Sequence, residues 1–450
     1  MSIRQMAAGA LYAVTRSSMM SCLEELDQLQ WLSEDELTAR QQRWLGRVLE
    51  YANTYVPYYR DLFIEIGFHP NDFVTQPDCF TDLPLLTKDA VRQNHDRLVT
   101  TEPARQDSLI KAKTGGTTGE PIWFVQDRVY DDYRVAHNFF QMEWSGWRLG
   151  QPEGRLWGHV LTGDAGKKSI VTRLKERLVG RFHSNAFHMT PESMEQFAAQ
   201  LEKRPDAVVW SYVSTMYRFA QFVQERGRPI RLHAVYTAAE PLYEYHREFI
   251  AGVFDCPVFN SYSSVETGDI ACECDRHDGL HIMMRNCYLE VLRDGRPVPD
   301  GQEGEFVITN LTNLAFPLIR YQIEDGGVRR GAGCPCGRGL PVLEVAEGRV
   351  IDFFKTRDRG RVWGAFLVPM IPTLGQIKQY QIVQTSLDQI VIRIVRGGFV
   401  DEARFSEIQR ACAVALGENV QVAFEYVDRL PSTPTGKHRY VVSEVEPDHL

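Results

Sequence analysis

The chain has 450 residues, of which 44% are hydrophobic, 24% charged and 11% aromatic; that composition excludes a disordered or fibrous protein, and the length calls for two domains. Its formal net charge of -9 argues against nucleic acid as a partner, while leaving room for a local basic cleft around a phosphorylated ligand. No run approaches the roughly 20 apolar residues that span a bilayer, and the opening MSIRQMAAGALYAVTRSSMM carries Arg4 and Arg16 without a sustained apolar centre, so no membrane span and a cytoplasmic location are expected.

From Leu23 to Phe63 apolar residues recur at three- and four-residue spacing, through ELTARQQRWLGRVLEYANTYV, until Pro57 stops the helix. PYYRDLF and LPLLTKDAV read as short helices, and SLIKAK, KTGGTTGEP and IWFVQ as strand, glycine-rich loop and strand. Between Asp127 and Gly227, helical patterns such as MTPESMEQFAAQLEKR and TMYRFAQFVQERG alternate with short apolar strands such as AVVWSY, which indicates layered α/β structure. HAVYTAAEPL, PVFNSYSSVE, YLEVL and GEFVITNLTN continue as strands that end in polar loops, where open α/β sheets bind ligands. After Gly348 come a hairpin in VIDFFKTRDRGRVWGAFL, two strands in QYQIVQTSLDQIVIRIVRGG, a helix in DEARFSEIQRACAVALG, a strand in VQVAFEYVD and the loop PSTPTGKHR. The expected fold class is α/β, with a large layered domain over residues 1–348 and a smaller α+β domain over 349–450.

The loop from Lys113 to Pro121 packs three glycines and three threonines into nine residues. Glycine lets backbone N–H groups approach anionic oxygens, and threonine hydroxyls add donors. The loop lacks the Gly-Lys-Ser/Thr ending of a Walker loop, and taken alone a Gly/Thr turn is more often a plain flexible loop than a phosphate site. Nine cysteines are present, six of them between Cys256 and Cys336. An odd number in a large chain argues against a disulfide framework, and the clustering in CECDRHDGLH and GCPCGRG favours metal ligation over a set of reduced buried thiols.

KTGGTTGEP resembles the phosphate loop of the adenylate-forming superfamily, which includes acyl-CoA synthetases, peptide-synthetase adenylation domains and luciferase. Four further segments follow in the order that superfamily requires: YTAAEPL (Tyr236 to Leu242), SYSSVETG (Ser261 to Gly268), FPLIRYQIEDGG (Phe316 to Gly327) and STPTGKHRY. The resemblance implies nucleotide contacts from Thr114, Gly115, Gly116, Thr117, Thr118 and Gly119, and from Ala239, Glu240 and Pro241. It further implies an adenine stacked on Tyr262, ribose hydroxyls on Asp325, and Arg320 and Arg349 close by. Glu266 would hold magnesium, and Lys437 would bridge the substrate carboxylate and the α-phosphate; these two are the implied catalytic residues.

YANTYVPYYRDLF and LPLLTKDAVRQN resemble the N-terminal segments of phenylacetate-CoA ligases and their relatives in capsule and exopolysaccharide clusters, and Ile122 after Pro121 fits that branch. The branch implies a structural zinc, with Cys274, His281, Cys334 and Cys336 as preferred ligands and Cys272 or His277 as replacements. It also implies an acid pocket near His159, Tyr212 and Ser214. GRVID resembles the interdomain hinge but carries Ile351 where relatives are often acidic, and the basic FFKTRDRGRVWGAF replaces a glycine-bearing loop. The implied function is ATP-dependent conversion of a carboxylic acid to its acyl-AMP with release of pyrophosphate, then transfer to a thiol, that of CoA. An amide ligase or carrier-protein loader in polysaccharide or natural-product biosynthesis, a non-catalytic nucleotide-binding scaffold and a zinc hydrolase are the rival readings. Expected cofactors are ATP, Mg2+, structural Zn2+ and CoA; expected partners are a small carboxylic acid, CoA or another acyl acceptor, and a second copy of the chain as a homodimer. The C-terminal domain is expected to act as a mobile lid.

Overall fold

Helix α1 (Ser17–Leu29) leads into α2 (Glu34–Tyr55), whose start is set by a capping box: the Ser33 hydroxyl accepts from the Glu36 N–H, and the Glu36 carboxylate accepts from the Ser33 N–H at 3.0 Å. The helix ends just before Pro57, as the periodicity suggests, and Pro57 itself opens another. Val56 caps both α2 and the next helix, α3 (Pro57–Ile66), because proline has no N–H to lose at a first helical position. The computed structural model describes residues 17–113, 122–158, 180–186, 189–345, 353–357, 360–363, 367–368, 370–430 and 440–445, together with Met6, residues 8–12 and Glu176.

Strands β1 (Ile110–Lys113) and β2 (Trp123–Gln126) pair antiparallel on either side of the glycine-rich segment. Helix α4 (Arg128–Glu143) follows, with the Asp127 carboxylate accepting from the Tyr130 N–H at 2.8 Å. The first half of the main sheet is parallel and runs β4 (Arg181–Asn185), β3 (Glu153–Trp157), β5 (Val208–Tyr212), β6 (Ala234–Ala238) and β7 (Val258–Ser264). Its crossovers include α5 (Pro191–Leu201), α6 (Val213–Arg226) and α7 (Glu244–Phe254). Every position of β5 and β6 is buried, as a parallel sheet covered on both faces requires. One face packs Leu156, Val209 and Val235 against Phe197, Phe219 and Phe254. On the other, Trp210, Tyr236 and Phe259 stack with ring centroids 4.9 and 4.7 Å apart.

Beyond β7 the direction reverses. Strand β8 (Gly268–Glu273) runs antiparallel to it, and the sheet continues through β9 (Leu280–Ile282), β14 (Val342–Val345), β13 (Tyr321–Arg330), β12 (Glu303–Asn310), β10 (Cys287–Arg293) and β11 (Arg296–Pro297). Toward the C-terminus, β15 (Phe353–Thr356) and β16 (Gly360–Trp363) form the expected hairpin. A four-stranded sheet of order β19-β18-β17-β20 is built from β17 (Gly375–Ser386), β18 (Gln389–Val400), β19 (Gln421–Tyr426) and β20 (Val441–Ser443). Ile382, Ile392 and Ile394 of this sheet share a core with Ile408 and Cys412 of α8 (Phe405–Leu416).

The architecture is α/β with a smaller C-terminal α+β portion. Two compact units result, one of residues 1–242, 246–323 and 327–345, the other of 243–245, 324–326 and 346–450. No helix among the described residues is long and apolar enough to cross a membrane.

Glu153 at the start of β3 is buried between two guanidinium groups, with Arg155 Nε at 2.6 Å and Arg181 Nε at 2.7 Å. Burial pushes its carboxyl up, but the two arginines outweigh that and hold it at about 2, against an ordinary 4.5. A carboxylate depressed in the folded state contributes stability that is present above its unfolded value and lost as pH falls toward its folded one. Glu153→Gln is therefore expected to cost about 3 kcal/mol at pH 7. It should also flatten the decline in stability between pH 4.5 and 2, read from urea titrations across that range.

Candidate active site and metal centre

Strands β5, β6 and β7 are parallel, so their carboxyl ends lie at one edge, with Tyr212 opposite Ala238 and Ala238 opposite Ser261. Just past β6, Ala239 adopts φ of 68°, a left-handed conformation that an alanine rarely takes and that turns the chain sharply. The turn delivers the Glu240 carboxylate to the first turn of α6, where it accepts from Ser214 N at 2.6 Å and Ser214 Oγ at 2.9 Å. A carboxylate is favoured there because the first helical N–H groups have no partner within the helix. Ser214, expected in the acid pocket, and Glu240, expected beside the nucleotide, are thus joined directly, and Glu240 is only 9% exposed. The Tyr212 ring lies 4.2 Å from that of Trp157, and burial pushes its phenol up to about 12, which keeps it neutral.

Tyr262 is half-buried on β7, its ring 6.1 Å from Phe306. Glu266 stands in the turn between β7 and β8, which Ser264 Oγ closes by accepting from Thr267 N at 3.0 Å. The antiparallel side of the sheet holds the same turn: the Asn286 and Asn310 amides both donate to the Thr267 carbonyl, at 2.8 and 2.7 Å. Tyr321 donates its hydroxyl to Glu266 Oε1 at 3.3 Å. These two asparagines and Tyr321 were missed in the sequence, although Asn310 sits in a strand that ends in a polar loop. Pro241 follows Glu240 directly, and Asp325 lies partly buried on β13. Thr114, Gly115, Gly116, Thr117, Thr118, Gly119, His159, Arg349 and Lys437 lie outside the described residues, as does the hinge segment Gly348 to Asp352.

A second cluster gathers just past β8, on β9 and in the turn after β13. One ligand atom from each of Cys274, His281, Cys334 and Cys336 lies within 4.8 Å of all the others. Cys274 Sγ is 3.7 Å from Cys334 Sγ, far beyond a disulfide bond, and Cys336 Sγ is 3.3 Å from His281 Nε2. His281 Nδ1 donates to the Leu340 carbonyl at 3.0 Å, which turns the Nε2 lone pair toward the sulfurs. Backbone N–H groups of Arg276 and Arg338 each point at a sulfur, at 3.4 Å. Three thiols and one imidazole at these separations are a tetrahedral donor set of the kind zinc takes. The alternative ligands are engaged elsewhere: Cys272 Sγ donates to the Glu273 carbonyl at 3.5 Å, and His277 Nδ1 is 3.1 Å from the Glu273 carboxylate.

Residues 354–444 match the family model described as the CapK C-terminal domain. The chain is 25% identical over 370 residues to Protein CapK of Staphylococcus aureus, covering 81% of this chain and 80% of that protein. It is 26% identical over 416 residues to the phenylacetate-coenzyme A ligase of Thermus thermophilus, covering 87% and 86%. Among solved structures it is similar to 2-hydroxyisobutyryl-CoA ligase in the postadenylation state in complex with 2-HIB-AMP, with a TM-score of 0.76 at 19% identity over 93% of this chain and 92% of the other. The resemblance to CapK and the phenylacetate-CoA ligases is therefore borne out, and the fold is shared with the CoA ligases.

Arg320, expected near the nucleotide, has another setting. It takes φ of 51° and is 2% exposed. Its guanidinium donates to both Glu290 oxygens, at 3.2 and 3.0 Å, to the Thr81 carbonyl at 2.7 Å and to the Leu83 carbonyl. The geometry assigns it to tying the segment before β1 onto the sheet. Glu290→Ala, which leaves that guanidinium buried without its counterion, is expected to cost about 3 kcal/mol or more, measured as a lowered urea midpoint.

Proposed function

We propose that this relative of CapK and the phenylacetate-CoA ligases activates a carboxylic acid with ATP and passes the acyl group from acyl-AMP to the thiol of CoA. The observation that carries the reading is the placement of Glu240, Tyr262 and Glu266 at the carboxyl ends of β6 and β7, where the parallel half of the sheet meets antiparallel β8. Open α/β sheets bind their ligands outside the carboxyl ends of the parallel strands. Similarity to ligases that make acyl-CoA supports the same chemistry.

In the first step a carboxylate oxygen of the acid attacks the α-phosphorus, the bond to the β,γ-phosphates breaks, and pyrophosphate leaves. In the second, a thiolate attacks the acyl carbonyl and AMP leaves. No protein nucleophile is needed, so the contribution of the chain is positioning and charge stabilisation. Residues 114–119 wrap the phosphates, the Tyr262 ring faces adenine, and Asp325 accepts from the ribose hydroxyls. Lys437 neutralises the charge that gathers as carboxylate approaches phosphate. The C-terminal unit acts as a lid that withdraws Lys437 before the thiol step. Glu266, a half-buried carboxylate aligned by Tyr321, fits magnesium, which when bound neutralises phosphate charge. Tyr212, Ser214 and His159 border the acid.

The reading predicts acid-dependent pyrophosphate release, with acyl-AMP trapped as a hydroxamate. Lys437→Ala and Glu266→Gln should each lower the rate by about two orders of magnitude or more; unchanged adenylation in Lys437→Ala would refute the role given to that lysine.

The Cys274, His281, Cys334 and Cys336 cluster is proposed as a structural zinc site, since four protein ligands leave no open position. Elemental analysis should find about one zinc per chain, and Cys334→Ser should lose the metal and melt at a lower temperature. A metal-free protein of unchanged stability argues against it.

A further inference from the structure

Helix α2 turns one polar side chain into the core where an apolar one would pack at less cost. Leu37, Gln41, Leu45, Val48 and Ala52 are buried and recur at four-, four-, three- and four-residue spacing, the pattern of one helix face. Gln41 is only 6% exposed. A buried side-chain amide is tolerated when its hydrogen bonds are made, and this one reaches far along the chain to make them. Gln41 Nε2 donates to the Met284 carbonyl and to the Cys287 carbonyl, both at 2.9 Å. One amide therefore grips residues 284–287, with Asn286 between the two carbonyls it holds.

Asn286 repeats the device. Its Nδ2 donates to the Thr267 carbonyl at 2.8 Å and to the Asp269 carbonyl at 2.7 Å, straddling Gly268. Gly268 takes φ of 76°, and a Cβ there would lie 2.7 Å from the Tyr130 hydroxyl and 3.4 Å from Asn286 Nδ2, so the clamp closes where only glycine fits. The other polar groups of Asn286 are engaged too. Its N–H donates to the Met283 carbonyl at 2.8 Å, its carbonyl accepts from Leu311 N at 2.7 Å, and its Oδ1 accepts from Thr312 Oγ1 at 2.8 Å. Held this way and 2% exposed, Asn286 cannot shift without moving the Thr267 and Asp269 carbonyls.

The two clamps act in series. Gln41 fixes the backbone on both sides of Asn286, and Asn286 fixes the turn whose preceding residue is Glu266. The Tyr321 hydroxyl, donating to Glu266 Oε1 at 3.3 Å, aligns the carboxylate itself, and that alignment is useful only on a turn that stays in place.

Resting on the adenylation reading above, in which Glu266 holds magnesium, we infer that Asn286 and, behind it, Gln41 of α2 are positioning residues for that carboxylate, so that the N-terminal helices take part in setting the metal site. Magnesium demands near-ideal octahedral geometry, which a carboxylate on a loosened turn meets less often. Loss of the Gln41 clamp should therefore weaken the hold on magnesium and leave the acid untouched.

The test reads magnesium dependence beside stability, on the full-length chain. Hydroxamate formation is followed across a magnesium titration, and ATP binding is measured by calorimetry with magnesium present and with it chelated. Gln41→Met, which keeps the length of the side chain and removes both donors, should raise the half-saturating magnesium concentration about fivefold. The KM for the acid should stay that of the wild type, and ATP binding should weaken only when magnesium is present. Asn286→Ala should shift the magnesium dependence at least as far, and adding Gln41→Met to it should change nothing further, because the two act on one turn. Leu45→Ala, on the same helix face, should lower the melting temperature while keeping the wild-type magnesium dependence. If Gln41→Met lowers the melting temperature without moving the magnesium dependence, or if the two substitutions simply add, the clamp is packing alone and the inference is overturned while adenylation stands. The first of these outcomes decides the matter by itself should Asn286→Ala not fold. A wild type that yields no hydroxamate, or a magnesium dependence unmoved by Glu266→Gln, overturns the reading of the site and this inference with it.

Discussion

The stacked rings of Trp210, Tyr236 and Phe259 lock β5, β6 and β7 into one register, and the candidate site depends on that register. The three rings occupy paired positions across the strands, and the Tyr236 hydroxyl donates to the Gln141 carbonyl of α4 at 2.7 Å, pinning the helix over the row. Aromatic faces in offset contact add to the burial of their area. Because a slip of one residue would send each ring to the opposite face, the stack also determines which loops share an edge. With it in place, Tyr212, the Ala239 turn and the Tyr262 to Glu266 segment emerge together.

The antiparallel half serves the same edge in a different way. Its Asn286 and Asn310 converge on one carbonyl, that of Thr267, and Tyr321 reaches the neighbouring carboxylate, so the turn carrying Glu266 is held by partners 19 to 55 residues away in sequence. Arg320, immediately before Tyr321, belongs to the same scheme of support. Its left-handed backbone and bidentate bond to Glu290 anchor the start of β13 to the chain at Thr81 and Leu83. A buried guanidinium is costly unless its charge is paired and its donors are used, and here each of its three nitrogens donates.

The cysteine–histidine cluster shows how far spacing alone can go. Cys334 and Cys336 flank one residue in a tight turn, and Cys274 and His281 bracket the short excursion from β8 to β9. The two pairs are 53 or more residues apart in sequence and meet because β14 pairs with β9. Spacing left Cys272 and His277 open as ligands. The strand geometry decides against them by directing one thiol to the Glu273 carbonyl and the imidazole to the Glu273 carboxylate.

By itself the sequence determined what local physics can determine: helices from their 3.6-residue periodicity, the strands on either side of the glycine-rich loop, the strand-and-helix alternation of an α/β sheet, and the clustered cysteines as candidate metal ligands. Glu266, Tyr262 and the Ala239–Pro241 segment stood out as candidates because they lie in short contiguous motifs. The union of Ser214 with Glu240, the burial of Arg320 and the asparagine support for Thr267 were not, because each joins residues from separate strands whose order and register are set by side-chain packing.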